Sequence, residues 1–149
     1  MDLTFKASGI LERGKGLTFD DVLLVPRYSE ISSRKHPTLK SKITKNFSID
    51  VPIITANMDT ITETEMAIAM AKLGGLGSLH RFMSTEQQIK MVLDIIRIQN
   101  QLGLTTPIAA SIGVKAAGYE RACALVDAGV QILTLDIVHD DSVMMLYRL

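Results

Sequence analysis

From residue 51 onward, short apolar runs alternate with longer segments whose apolar positions fall three or four apart. The runs 51–55 (VPIIT), 76–79 (LGSL), 107–112 (PIAASI) and 130–138 (VQILTLDIV) suit strands, and 51–55 suits a strand buried on both faces. Each is followed by a polar loop and then by a helix signal. Thr62 and Glu65 have the spacing of a capping box, with helix continuing over 66–73 and stopped by Gly74 and Gly75. Ser84 and Gln87 repeat that spacing, and Ile89, Val92, Ile95, Ile96 and Gln99 follow on one face, closed by Gly103. A third helix is predicted over 118–128, ended by Gly129, and a fourth begins at Ser142.

The first 50 residues read differently. Apolar runs at 17–19 and 22–25 precede a stretch rich in Ser, Lys and Arg, interrupted by Pro26 and Pro37. Short strands and loops are predicted here, with a small hairpin across 39–49 and no long helix. The chain thus divides into a strand-and-loop segment, 1–50, and four βα units, 51–149. Alternating βα units make an α/β protein with a parallel sheet. Half of a (βα)₈ barrel and an open doubly wound sheet both satisfy the pattern. Pattern alone leans to the open sheet, because four units complete a small domain of that kind.

The formal charge is zero and no basic stripe is present, which argues against nucleic acid as a partner. No apolar run approaches the roughly 20 residues of a membrane span, and the first residues lack a secretory apolar core. Cys123 is the only cysteine, so an internal disulfide is excluded; within the amphipathic stretch 119–128 a buried structural thiol is expected. A reducing cytoplasmic setting fits these features. His36, His80 and His139 have no ligand spacing, so no metal site is expected, and neither phosphate-binding glycine motif occurs.

Several motifs, in order, carry a resemblance. Residues 16–26 (GLTFDDVLLVP), 52–63 (PIITANMDTITE), 74–82 (GGLGSLHRF) and 122–136 resemble the IMP dehydrogenase/GMP reductase family. The resemblance implies a (βα)₈ TIM barrel of which this chain is the N-terminal half. Barrel enzymes carry their active-site groups on the loops after the strands. It also implies hydride transfer at purine C2 through a covalent bond to a cysteine on a later loop. Cys123, mid-helix and without flanking glycines and serines, does not match that cysteine, so the chain alone is expected to be inactive. A monovalent cation such as potassium and a homotetramer are likewise implied for the complete enzyme.

Three features lean to the GMP reductase branch, which converts GMP to IMP and ammonia with NADPH. Only residues 102–106 separate the second helix from the third strand, leaving no room for a regulatory insert. Ala56-Asn57-Met58 is similar to the reductase form of the first loop. Ser32-Ser33-Arg34 is similar to a pair that reaches the cofactor across a subunit boundary. The alternatives are an IMP dehydrogenase without the insert, acting on IMP with NAD, and a non-catalytic nucleotide-binding homologue. A doubly wound binding domain of unrelated function is the third possibility.

The resemblance places Asn57 and Met58 against the purine, and Ser33, Arg34, Arg81, Asp136, Ile137 and Val138 against the cofactor. Asp136 is the best supported of these. It ends an apolar strand, where a carboxylate is costly without a partner. One departure stands out: the family usually has glycine where Asp140 follows His139, and Asp140-Asp141 would repel a phosphate.

Overall fold

The computed structural model describes residues 18–139 and 143–146. The chain divides into a leading unit ending at Pro37 and a main unit beginning at Thr38, and the two are taken separately.

In the leading unit the predicted strands give way to a 3-10 turn, Phe19–Asp21, followed by extended chain with no ladder partner. The turn wins locally because the Asp21 carboxylate accepts from both the amide and the hydroxyl of Thr18, at 2.8 and 3.0 Å. Residues 1–17, including the start of the first motif, lie outside the described residues.

The main unit opens with the predicted hairpin, β1 (Ser41–Lys42) and β2 (Ser48–Ile49), paired antiparallel. The hairpin therefore groups with the βα units. Those units supply α1 (Thr64–Lys72), β3 (Ser78–Leu79), α2 (Thr85–Leu102), β4 (Ala109–Ile112), α3 (Ala116–Asp127), β5 (Ile132–Leu135) and a short α4 (Val143–Leu146). β3, β4 and β5 form a parallel sheet in chain order.

The expected first strand is present only as a single parallel bridge, Ile54 to Leu76, beside β3. The Thr55 amide donates to the Leu76 carbonyl, and the Leu76 amide to the Ile53 carbonyl, both at 3.0 Å. Burial on both faces does not hold for this segment: Ile53 and Ile54 are more than half exposed. Among the described residues the segment has a strand neighbour on one side only, so it is the edge of the described sheet.

Strand alternation sorts the sheet into two faces. Leu79, Ala110 and Ile112 pack with Ala67, Ile68, Val92, Ile95, Ala122 and Leu125 of the helices. Leu76 and Ala109 pack instead with Ile49 of the hairpin, flanked by Ile43 and Ile132. One step further along that second face is a row of hydroxyls. Ser78 Oγ lies 3.0 Å from Thr134 Oγ1 and 3.4 Å from Ser111 Oγ.

The helix ends follow the predicted chemistry. Gly74, Gly103 and Gly129 have φ of +80°, +66° and +109°, which L side chains rarely adopt. At each, the following amide turns back to a carbonyl five residues before it: Gly75 to Met70, Leu104 to Gln99 and Val130 to Leu125, all at 2.9 Å. The Ser84–Gln87 capping box is formed in full. The Thr62–Glu65 box is not. α1 begins at Thr64 with Glu63 as its cap, and Thr62 is fully buried with its hydroxyl engaged elsewhere.

Cys123 corrects another expectation, because it is exposed. On α3 the buried positions are Gly118, Ala122 and Leu125, spaced as one helical stripe, and Cys123 lies beside that stripe. Among the described residues no helix is long and apolar enough to cross a membrane.

Candidate functional site

Because the strands are parallel, the loops that follow them share one edge of the sheet. Four loops meet that description: residues 56–62, 80–84, 113–115 and 136–139. Each is held by its own device.

In the first loop, Thr62 Oγ1 donates to the Ala56 carbonyl and lies 2.7 Å from Thr55 Oγ1. The amides of Ile61 and Thr62 both donate to the Met58 carbonyl at 3.0 Å. The loop is thereby closed on itself, presenting Asn57 half-buried and Met58 exposed. The bond to Ala56 accounts for the missing capping box by orientation: it turns the Thr62 side chain back toward Ala56, away from the first amides of α1.

In the second loop, the buried His80 accepts from the Phe82 amide through Nδ1 at 3.1 Å. Nε2 therefore carries the ring proton and meets Glu63 Oε1 at 3.3 Å. Arg81 extends the other way. Its Nε donates to Asp136 Oδ2 at 2.7 Å, and its Cζ lies 5.0 Å from the centroid of the Phe82 ring. Asp136 thus has the partner that its position demands. Its own amide continues the ladder, donating to the Ile112 carbonyl at 2.9 Å.

Arg81, Asp136, Ile137 and Val138 line a single cleft of about 940 Å³, together with Lys115 and Arg121 among others. Ile137 is half-buried and Val138 exposed. The floor is set by Gly118, where an added Cβ would collide with the Gly113 carbonyl; the absence of a side chain lets α3 sit directly on the loop after β4. Glu86 stands on the rim at the start of α2. Its own backbone amide, the Ser84 hydroxyl and the Arg121 charge hold its carboxyl below the usual range. Arg81, Lys115 and Arg121 thus share the lining of the cleft with Glu86, Glu120 and Asp136.

Four of the sequence-predicted residues are thus brought together. Asn57 and Met58 occupy the neighbouring loop and do not line this cleft. Ser33 and Arg34 belong to the leading unit, where the Ser33 hydroxyl accepts from the Lys35 amide at 3.3 Å and the Ser33 carbonyl from the His36 amide at 3.1 Å. Asp140 and Asp141 lie outside the described residues. Sequence reasoning missed Gln88, Arg121 and Lys115. Gln88 did leave a signal: it is a polar side chain on the stripe that also carries Val92, Ile95 and Gln99, all buried.

Among known families, residues 16–149 match the one described as IMP dehydrogenase / GMP reductase domain, and the chain belongs to that family. The chain is similar to an inosine-5'-monophosphate dehydrogenase of Nitrosopumilus maritimus (strain SCM1), at 51% identity over 87 residues, covering 58% of this chain and 18% of that protein. The corresponding enzyme of Cryptosporidium parvum is 37% identical over 166 residues, 87% of this chain and 41% of that one. A GMP reductase of Leishmania donovani is 44% identical over 88 residues, 59% and 18% respectively. The chain therefore spans less than half the length of the relatives it matches.

Proposed function

We propose that the whole protein is a nicotinamide-dependent purine-nucleotide oxidoreductase of the GMP reductase kind, and that residues 51–149 are the first four units of its (βα)₈ barrel. The strand order supports the barrel: the edge segment, β3, β4 and β5 add in chain order without the reversal of a doubly wound sheet. The reaction is GMP + NADPH + H⁺ to IMP + NADP⁺ + ammonia.

The Arg81–Asp136 pair at the strand ends is the observation that carries this reading. The cleft around it suits one end of a nicotinamide dinucleotide. The Asp136 carboxylate can accept from a carboxamide N–H, and only one of its oxygens is engaged by Arg81. Lys115 and Arg81 supply positive charge for phosphate, and Ile137 and Val138 supply apolar surface. When bound, the dinucleotide supplies the hydride. The purine is assigned to the neighbouring loop, against Asn57 and Met58, which Thr62 holds in place. Cys123 lies on α3 and does not line the cleft, so this chain brings no thiol to it. Ser33 and Arg34 are assigned to the cofactor of an adjoining subunit in a cytoplasmic homotetramer, and a monovalent cation such as potassium to the later cysteine loop.

An IMP dehydrogenase, acting on IMP with NAD, is the second reading. The relative from Cryptosporidium parvum supports it, because the match covers 87% of this chain.

Calorimetric titration of the chain with NADPH and NAD, followed by an assay at the nicotinamide absorbance band with GMP or IMP, tests the proposal. Tighter binding of NADPH than of NAD and no turnover are expected. Tighter binding of NAD would favour the dehydrogenase reading, and turnover by this chain would refute the assignment of the thiol to a later loop.

A further inference from the structure

Gln88 and Arg121 are joined in a way that the cleft alone does not require. Gln88 lies in the first turns of α2 and has no exposed surface. Its Nε2 donates to the carbonyls of His80 and Ser111, each at 3.0 Å. His80 directly follows β3 and Ser111 lies within β4, so one amide group ties two neighbouring strand ends. Its Oε1 accepts from Arg121 Nη1 at 3.0 Å. Arg121 comes from α3 and donates to two more carbonyls, Nη1 to Arg81 at 3.0 Å and Nη2 to Met83 at 2.8 Å.

The two side chains thus hold three carbonyls of the loop that carries Arg81, those of residues 80, 81 and 83, and fasten them to β4 and α3. No buried side-chain N or O atom among the described residues lacks a partner, so the network is complete. A leucine at position 88 would fill the core without desolvating an amide. It could not join three backbone segments. The guanidinium plane of Arg121 matters in the same way, since it reaches these acceptors from two nitrogens held apart in one plane, whereas an ammonium presents all its donors from a single point.

We propose that Gln88 and Arg121 are positioning residues: they fix the backbone on both sides of Arg81 and so hold its guanidinium on Asp136. The arrangement places Arg81 without touching its side chain. α3 is a suitable anchor because Gly118 seats it against the Gly113 carbonyl, and both glycines line the same cleft. The structural claim stands on these hydrogen bonds alone; its consequence for ligand binding rests on the dinucleotide reading above.

The test compares the full chain with Gln88→Met, Arg121→Lys and a control, Ile95→Val, which trims the core outside the network. Two quantities are read under conditions where each protein is folded: solvent exchange of the Arg81 Nε proton by NMR, and affinity for NADPH by calorimetry. Gln88→Met and Arg121→Lys are expected to speed that exchange about tenfold and to weaken NADPH about tenfold. Ile95→Val should lower the melting temperature and leave both unchanged. Arg81 Nε exchange as slow in Arg121→Lys as in the unaltered chain would overturn the proposal, and this variant carries the test if Gln88→Met does not fold. Should the unaltered chain bind no NADPH, the functional reading fails while the exchange measurement still decides the positioning claim.

Discussion

Arg81 Nε lies 2.7 Å from Asp136 Oδ2, although 55 residues separate them in the chain. The contact bridges the loops that follow β3 and β5, spanning the loop of the strand between them. Both side chains are about one-third exposed, so the pair contributes little to stability, on the order of 0.5 kcal/mol. Its value lies in what it presents to the cleft. Asp136→Asn should therefore change the free energy of unfolding by less than about 1 kcal/mol. It should weaken NADPH about tenfold, because a neutral amide is a poorer acceptor than a carboxylate. Urea unfolding and calorimetry on the same samples separate the two effects.

Thr62→Val should loosen the loop carrying Asn57 and Met58. Valine keeps the shape of threonine but cannot donate to the Ala56 carbonyl, so a part-buried acceptor loses its partner. The cost is about 1–2 kcal/mol. Hydrogen exchange should quicken most at the amides of Ile61 and Thr62, both of which donate to the Met58 carbonyl.

Two glycine substitutions should separate conformational strain from steric collision. At Gly103 an added Cβ meets nothing within 4 Å, so Gly103→Ala is opposed only by its φ of +66°, at about 1 kcal/mol. At Gly118 the Cβ would strike the Gly113 carbonyl, and Gly118→Ala should cost at least about 3 kcal/mol. It should also disturb the cleft, since α3 and the loop after β4 must move apart. Thermal unfolding of the two variants side by side checks the order.

The start of α2 should weaken in acid. The folded-state pKa of Glu86 is depressed below its ordinary value of 4.5 by its own amide and by the Ser84 hydroxyl. A depressed carboxylate contributes stability that is complete above about pH 4.5 and is lost as the pH falls through the folded value. Amide exchange in the first turn of α2 should accordingly be independent of this group near neutrality and rise below pH 4.5. Glu86→Gln should remove that rise.

The sequence pattern revealed the alternation of elements because its signals are local. The capping box at Ser84 and the positive-φ glycines need only their own helix to form, and they form as predicted. The errors arise where a partner outside the element decides. Thr62 has the spacing of a cap, yet the preceding loop turns its hydroxyl to Ala56. Cys123 sits in an amphipathic stretch, but the core face is set by where α3 meets the sheet, which buries Ala122 and Leu125 on either side of it in sequence. Residues 51–55 read as a buried strand, but burial depends on neighbours on both sides, and the described residues provide one. In the candidate site, Asp136 was legible as a carboxylate closing an apolar run. Its partner was not, because nothing local marks Arg81 as the residue that returns to it. Gln88 and Arg121 were hidden for the same reason, as their roles exist only once four backbone segments converge.

We propose that the edge of the sheet around Arg81 and Asp136 binds a nicotinamide dinucleotide. Titrating the isotopically labelled chain with NADPH and following every backbone amide by NMR tests it most directly. The predicted result is saturable shifts centred on Arg81, Gly113, Lys115, Asp136, Ile137 and Val138, with Cys123 unmoved. Shifts centred elsewhere, or none with either NADPH or NAD, would contradict it.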